Sequence, residues 1–328
     1  MANELPLKVA VWRYDRTQGI FDGRISLPSR HMNLIDAPLE EIFSRAFEKA
    51  EFEVSELSFS NYLRLSVAGT CPYIGIPIFP SRSFRHGAFY VRNDAGIRSP
   101  EDLIGRRVGV REYSMTAAVA ARGALRDQFG VRSQDITWIM GDVDHKERSE
   151  IKLPRVYKNI ELQVAPAGRL LESMLLEGEI DALVAYKPFA AFKASDPRVS
   201  RLFADPEAVE ETYFKEFGVF PIMHLMGIRR DIAEADSSLV REIYDAFASA
   251  QELADDDLHI EQALKISLPW LAREVRRTTK VMGTNYWSVG FKSNRKVIER
   301  MIEWSFEDGL IPSKVNAADL FVPELLET

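Results

Sequence analysis

Two rhythms of hydrophobic residues alternate along this chain. Short apolar runs at residues 7–12, 53–57, 74–79, 86–92, 107–110, 180–185 and 222–228 have the length and the β-branched or aromatic content of buried strands. Between them, side chains of a buried face recur at helical spacing: Leu39, Ile42, Phe43, Ala46 and Phe47, then Thr116, Val119, Ala120 and Leu125, then Leu170, Leu171, Met174 and Leu175. A short helix is also expected at 60–68. Start and stop signals agree with these elements. Asp36 is placed to cap a helix, with Pro38 in its first turn and Glu40 and Glu41 favouring the positive end of the dipole. Ser99, Pro100 and Asp102 have capping-box spacing, and Gly105 and Gly178 close helices. The C-terminal third reads as mainly helical. Strand–helix alternation through the rest predicts an α/β fold.

Composition narrows the picture. The 328 residues are enough for two domains, and 46% hydrophobic with 28% charged residues is ordinary for a globular protein. A net charge of −7 gives no reason to expect a nucleic-acid surface. Cys71 is the single cysteine, so no internal disulfide forms, and its place in a turn before an apolar strand reads as a buried structural thiol. The N-terminus lacks the basic and apolar regions of a secretory leader, and no apolar run approaches the ~20 residues of a membrane span. A cytoplasmic protein with no membrane partner is the expectation. Asp142, Asp144 and His145 share a polar loop with Lys146, Glu147 and Arg148, which reads as solvated charge rather than a metal site. No paired-histidine zinc motif, phosphate-binding Gly-rich loop or nucleophile elbow is present.

Two passages resemble elements of type II periplasmic-binding proteins: residues 99–110, which start the second lobe, and 176–184, a helix–Gly–strand element of the same lobe. A resemblance covering nearly the whole chain is more specific. Tyr14-Asp15, the stretch 79–92 with Ser81-Arg82-Ser83-Phe84-Arg85-His86 at its centre, 220–224, Gly290 and Asn294-Arg295 resemble the 4,5-dihydroxyphthalate decarboxylase family. The chain departs from the family pattern at Arg111–Tyr113 and Lys187–Phe189. The resemblance implies two α/β lobes around a ligand cleft, one lobe from residues 1–94 plus 214–328 and the other from 95–213. It also implies cofactor-free loss of one carboxylate from a small aromatic di-acid, giving protocatechuate.

Such chemistry has definite needs. Electrons released from an arene carboxylate would occupy an orbital orthogonal to the π system. Protonating the ring carbon first, with an ionised para hydroxyl feeding electrons in, avoids this. The protein must therefore hold two carboxylates, favour a phenolate and deliver one proton. Arg82 and Arg85, beside Ser81, follow a buried strand and suit carboxylates, though a pair of surface arginines is the plainer reading of composition. Ser114, Met115 and Thr116 open a helix whose free N–H groups can receive an anion or be simply capped. Lys187 follows a strand end, as either a clamp or a solvated lysine. His86 and His224 are the proton-handling candidates, and His224 in an apolar strand also fits a satisfied core histidine. Tyr14, Glu56 and Ser58, near the ends of early strands, are candidates for the catechol hydroxyls or ordinary turn residues. The competing function is a transporter's solute-binding protein for an aromatic or sulfonated anion. A cytoplasmic sensor domain is the third reading. Homo-oligomerisation is left open.

Overall fold

The computed structural model describes residues 6–145 and 153–328; Lys146, Glu147, Arg148 and the leading residues 1–5 lie outside the described residues. The strands are β1 (Leu7–Ala10), β2 (Met32–Ile35), β3 (Val54–Ser58), β4 (Tyr73–Arg82), β5 (Phe89–Arg92), β6 (Arg107–Val110), β7 (Thr137–Met140), β8 (Glu161–Val164), β9 (Ala182–Val184), β10 (Val199–Arg201) and β11 (Ile222–Arg229). The first four helices are α1 (Asp15–Phe21), α2 (Leu39–Lys49), α3 (Phe59–Val67) and α4 (Thr116–Phe129). From Arg230 onward the regular structure is helical, with long helices at Ser237–Leu258, Leu271–Met282 and Phe291–Glu307. Among the described residues no helix is long and apolar enough to cross a membrane.

The chain divides into two compact units. The first comprises Met1–Arg82, Ile222–Glu299 and Val315–Thr328, and the second Ser83–Pro221 and Arg300–Lys314. The sequence reading drew the exchanges at 94 and 214. They fall at 82 and 221 because β4 and β11 pair along their lengths, down to Ile222 opposite Arg82. Residues 300–314 join the second unit through side chains that sequence patterning does not reveal.

In the first unit the sheet order is β2-β1-β3-β11-β4. β1 runs parallel to β2 and β3, and β11 is antiparallel to β3 and β4. Its core combines Val9, Val54, Ile76, Met226 and Ile228 from the sheet with Leu239, Ile243 and Phe247 from the helix Ser237–Leu258. Cys71, at the turn into β4, is 6% exposed, and burial pushes its thiol pKa up. Gly75 has no room for a side chain, because a Cβ there would stand 2.7 Å from the Leu320 carbonyl.

The second unit is built on the order β10-β5-β9-β6-β7-β8. β6, β7, β8 and β9 form parallel pairs, while β5 is antiparallel to β9 and β10. Helix α4 organises the rest of the unit. Arg122 Nε donates to Asp308 Oδ2 at 2.8 Å, with its guanidinium 3.8 Å from the Tyr113 ring centroid. Arg122 and Asp308 are 2% and 4% exposed, a buried ion pair. Asp127 accepts from Trp304 Nε1 at 3.0 Å and from the Tyr213 hydroxyl at 3.2 Å. The Trp304 indole lies directly against Gly123.

Several local expectations change. Asp36 does not cap α2: the helix begins at Leu39 after an extended Pro38, and the Asp36 carboxylate pairs with Arg13. Residues 86–88 form a 3-10 turn, so β5 starts only at Phe89. Ser99–Asp102 does form its capping box, on a 3-10 turn of four residues. β4 runs on through Ser81 and Arg82, which places both in a strand rather than a loop.

Candidate active site

Chemistry-bearing side chains gather at one end of the first unit's sheet. β11 carries His224 opposite Ser58 of β3 on one side and Ser81 of β4 on the other. Glu56 lies two residues before Ser58, so alternation along β3 puts it on the same face, diagonal to His224. The register of β4 against β11 shifts on both sides of His224, an irregularity of the kind that re-aims side chains. His224 Nδ1 donates to Glu56 Oε1 at 2.6 Å. The same oxygen accepts from the Tyr14 hydroxyl at 2.7 Å, and Oε2 accepts from the Trp12 N–H at 2.9 Å. Glu56 itself is fully buried, and these three donors offset the cost of burying its carboxylate.

Tyr14 precedes α1, where its backbone N–H donates to Thr17 Oγ1 at 2.9 Å. Burial, and then the negative charge of Glu56, raises its phenol pKa far above the ordinary range, while a hydrogen bond with Ser81 opposes this. Tyr14 therefore stays protonated and acts as a donor. The His224 imidazole meets the Phe43 ring edge-on, with centroids 4.9 Å apart. Its Nδ1 is committed to Glu56, which fixes the tautomer and the orientation of the ring.

Arg82 belongs to the same unit and is 7% exposed. Its Nη2 donates to the Ser288 carbonyl at 3.0 Å and to Asn294 Oδ1. Burial lowers its pKa to about 9. Asn294 in turn donates to the Gly290 carbonyl at 2.8 Å, so Arg82 and Asn294 tie the start of the helix Phe291–Glu307, and the turn before it, to β4.

The remaining sequence candidates lie in the second unit. His86 is 1% exposed, between Phe203 and Tyr213, with Nε2 3.2 Å from Gln128 Oε1. Burial lowers its pKa to about 4, so it is neutral at pH 7. Glu210 lies 3.9 Å from its Nδ1. Burial lowers the pKa of the neighbouring Arg85 to about 10, and the Glu210 charge works against that shift. Ser114 and Thr116 are buried at the start of α4, with Met115 between them, and Ser114 Oγ donates to Glu112 at 2.8 Å. Lys187 is exposed and lines a small recess with Arg111, Asp144 and Tyr186. His145 pairs with Asp144 at 2.6 Å, and no group of three or more metal-ligating side chains occurs among the described residues.

Two residues of the first unit were missed by sequence reasoning. Arg16 lies with its guanidinium carbon 4.1 Å from the Tyr14 ring centroid and 4.3 Å from that of Trp287. Arg16 follows the Tyr14-Asp15 pair directly, but an arginine in the first turn of a short helix carries no mark that separates it from a solvated one. Trp287 lies far from it in sequence, and only the fold brings the two together.

No family model matches the chain. Among solved structures, the periplasmic aliphatic sulphonate binding protein SsuA from Escherichia coli superposes with a TM-score of 0.55, covering 99% of this chain and 100% of its own at 13% identity. That likeness establishes an α/β fold of the periplasmic-binding-protein kind and no more. Sequence relatives are more informative. A 4,5-dihydroxyphthalate decarboxylase of Pseudomonas putida is 37% identical over 65% of this chain and 83% of its own. Another protein of that name, from Comamonas testosteroni, is 37% identical over 99% of both chains. With agreement at that level from end to end, this chain belongs to the 4,5-dihydroxyphthalate decarboxylase family.

Proposed function

We propose that this chain is a carboxy-lyase that removes one carboxylate from 4,5-dihydroxyphthalate, giving protocatechuate and carbon dioxide. The end-to-end identity of 37% with a relative of that name carries the reading. The geometry of the first unit supports a division of labour. His224 is the proton carrier. Its Nε2 protonates the ring carbon that bears the departing carboxylate, and electrons from the ionised para hydroxyl assist. Loss of carbon dioxide then restores aromaticity. Delivery from Nε2 leaves the Nδ1–H tautomer that Glu56 already accepts from, so the dyad needs no rearrangement within the step. Tyr14 and the Trp12 N–H keep Glu56 fixed. Ser58 and Ser81, flanking His224 in the sheet, are the candidates for the catechol hydroxyls.

His86 fits this task less well. It is enclosed, neutral at pH 7 and tied to Gln128, which supports a packing role. The hydrogen bonds of Arg82 to Ser288 and to Asn294, at the start of the helix Phe291–Glu307, support a bracing role. For anion contact in the second unit, Arg85, Lys187 and the α4 start from Ser114 through Met115 to Thr116 remain the candidates. The cytoplasm is the compartment proposed with this decarboxylase reading.

The test follows carbon dioxide release when pure, chelator-treated protein meets 4,5-dihydroxyphthalate. Release that is lost in His224→Gln and retained in large part in His86→Gln supports the assignment. Binding without release would instead favour a receptor.

A further inference from the structure

Arg16 is held in a way that an ordinary surface arginine is not. Its guanidinium lies between two aromatic faces, Tyr14 at 4.1 Å and Trp287 at 4.3 Å. Trp287 is itself pinned, its Nε1 donating to the Phe79 carbonyl at 3.0 Å. Arg16 Nε donates to the Pro80 carbonyl, and Nη1 donates to Asp15 Oδ1 at 2.8 Å. Nη2 has no hydrogen-bond partner among the described residues, and the side chain keeps 14% of its exposure. Two faces and two nitrogens are therefore fixed, and one edge remains open. The Arg16 guanidinium lies one aromatic ring from Glu56, the partner of His224, because Tyr14 stacks on Arg16 by its face and bonds Glu56 through its hydroxyl.

Resting on the decarboxylase reading and deepening it, we propose that Arg16 is the specificity-determining residue that clamps the carboxylate the substrate keeps. A benzene-1,2-dicarboxylate brings two negative charges beside the buried Glu56 carboxylate, and a cation is needed to receive them. The planar fork of arginine matches a carboxylate and stacks on aromatic rings, which a lysine ammonium does neither as well. The clamp acts on the retained group for a simple reason. The departing carboxylate becomes neutral carbon dioxide, so holding it tightly would stabilise the ground state over the transition state. The retained carboxylate keeps its charge throughout, so its clamp contributes equally to both. Such uniform binding shows in KM and not in kcat.

The experiment compares wild type, Arg16→Met and Arg16→Lys. It reads steady-state kinetics on 4,5-dihydroxyphthalate and equilibrium binding of 3,4-dihydroxybenzoate, which retains this carboxylate, and catechol, which lacks it. Arg16→Met is expected to raise KM about 30-fold, the scale of a lost charge-assisted pair, with kcat within about 3-fold of wild type. It also removes the preference for 3,4-dihydroxybenzoate over catechol. Arg16→Lys, which keeps the charge and carries the test should the methionine variant fail to fold, is expected to raise KM about 10-fold. An unchanged KM, or a kcat loss without a KM rise, overturns the clamp. So does equal weakening of catechol, which would make Arg16 only a brace for Tyr14. A wild type that neither binds nor decarboxylates 4,5-dihydroxyphthalate overturns the decarboxylase reading and the clamp with it.

Discussion

At the scale of single residues, Glu56 and His86 show how burial assigns roles. Glu56 presents two oxygens to three donors, so Glu56→Gln is not a quiet change. An amide nitrogen facing the Trp12 N–H sets donor against donor, at a cost of about 1–3 kcal/mol. Lower kcat by about 10²-fold, with stability reduced by that amount in urea unfolding, is the expected result. A variant with normal kcat would remove Glu56 from the proton-carrying pair. His86 makes a prediction about pH. Its folded pKa lies near 4, below its ordinary value of 6.5. Above pH 6.5 the histidine is neutral in both states and costs nothing. As pH falls from 6.5 toward 4, the unfolded chain takes up a proton that the folded one refuses, and stability drops, by up to about 3 kcal/mol. The unfolding free energy of His86→Gln should therefore fall less steeply over that window than that of wild type. Parallel pH slopes would show that His86 is not the source. Neither role was legible from residue type alone. His224 and Glu56 are 168 positions apart, and only the antiparallel register of β3 and β11 brings them together.

At the scale of elements, α4 is the informative case. Its helical spacing was plain in the sequence, but the features that matter are on the faces it presents. A Cβ at Gly123 would stand 2.2 Å from the Trp304 indole, a rigid ring that cannot turn aside. Gly123→Ala, which ordinarily favours a helix interior by up to about 1 kcal/mol, is expected to destabilise by about 3 kcal/mol instead. Denaturant unfolding of the variant measures this, and a stabilised Gly123→Ala would show that the contact relaxes freely. Strands with buried runs were the easiest to read, as at β3, β4 and β11. β8 escaped because it is mostly exposed along its length and offers no apolar run. α1 escaped because seven residues hold too few turns to show a period. Pro38 misled, since a proline near a helix start serves as well just outside it as within the first turn.

At the scale of the whole molecule, the chain passes between units four times, and the last excursion, 300–314, is secured by buried charge. Asp308 serves Arg122, Ser133 and, through its carbonyl, Tyr113. Asp308→Ala leaves the Arg122 guanidinium buried without its counter-charge, and a loss of about 3–5 kcal/mol is expected. The loss should be confined to the second unit, so fluorescence of Trp138, isolated by replacing the other tryptophans, should report melting before the far-UV signal is complete. Coincident transitions would show that the two units unfold as one. The alternation of strands and helices made the two-sheet plan legible. The capture of a C-terminal piece by the second unit was not, because it depends on side-chain pairs that no periodicity records. The single buried thiol has a practical use here. Cys71 belongs to the first unit, so a thiol-reactive dye has one target and reaches it only when that unit opens. The labelling rate in native buffer becomes a clock for that opening, read without any engineered probe. In Asp308→Ala that clock should keep wild-type time even as the second unit melts.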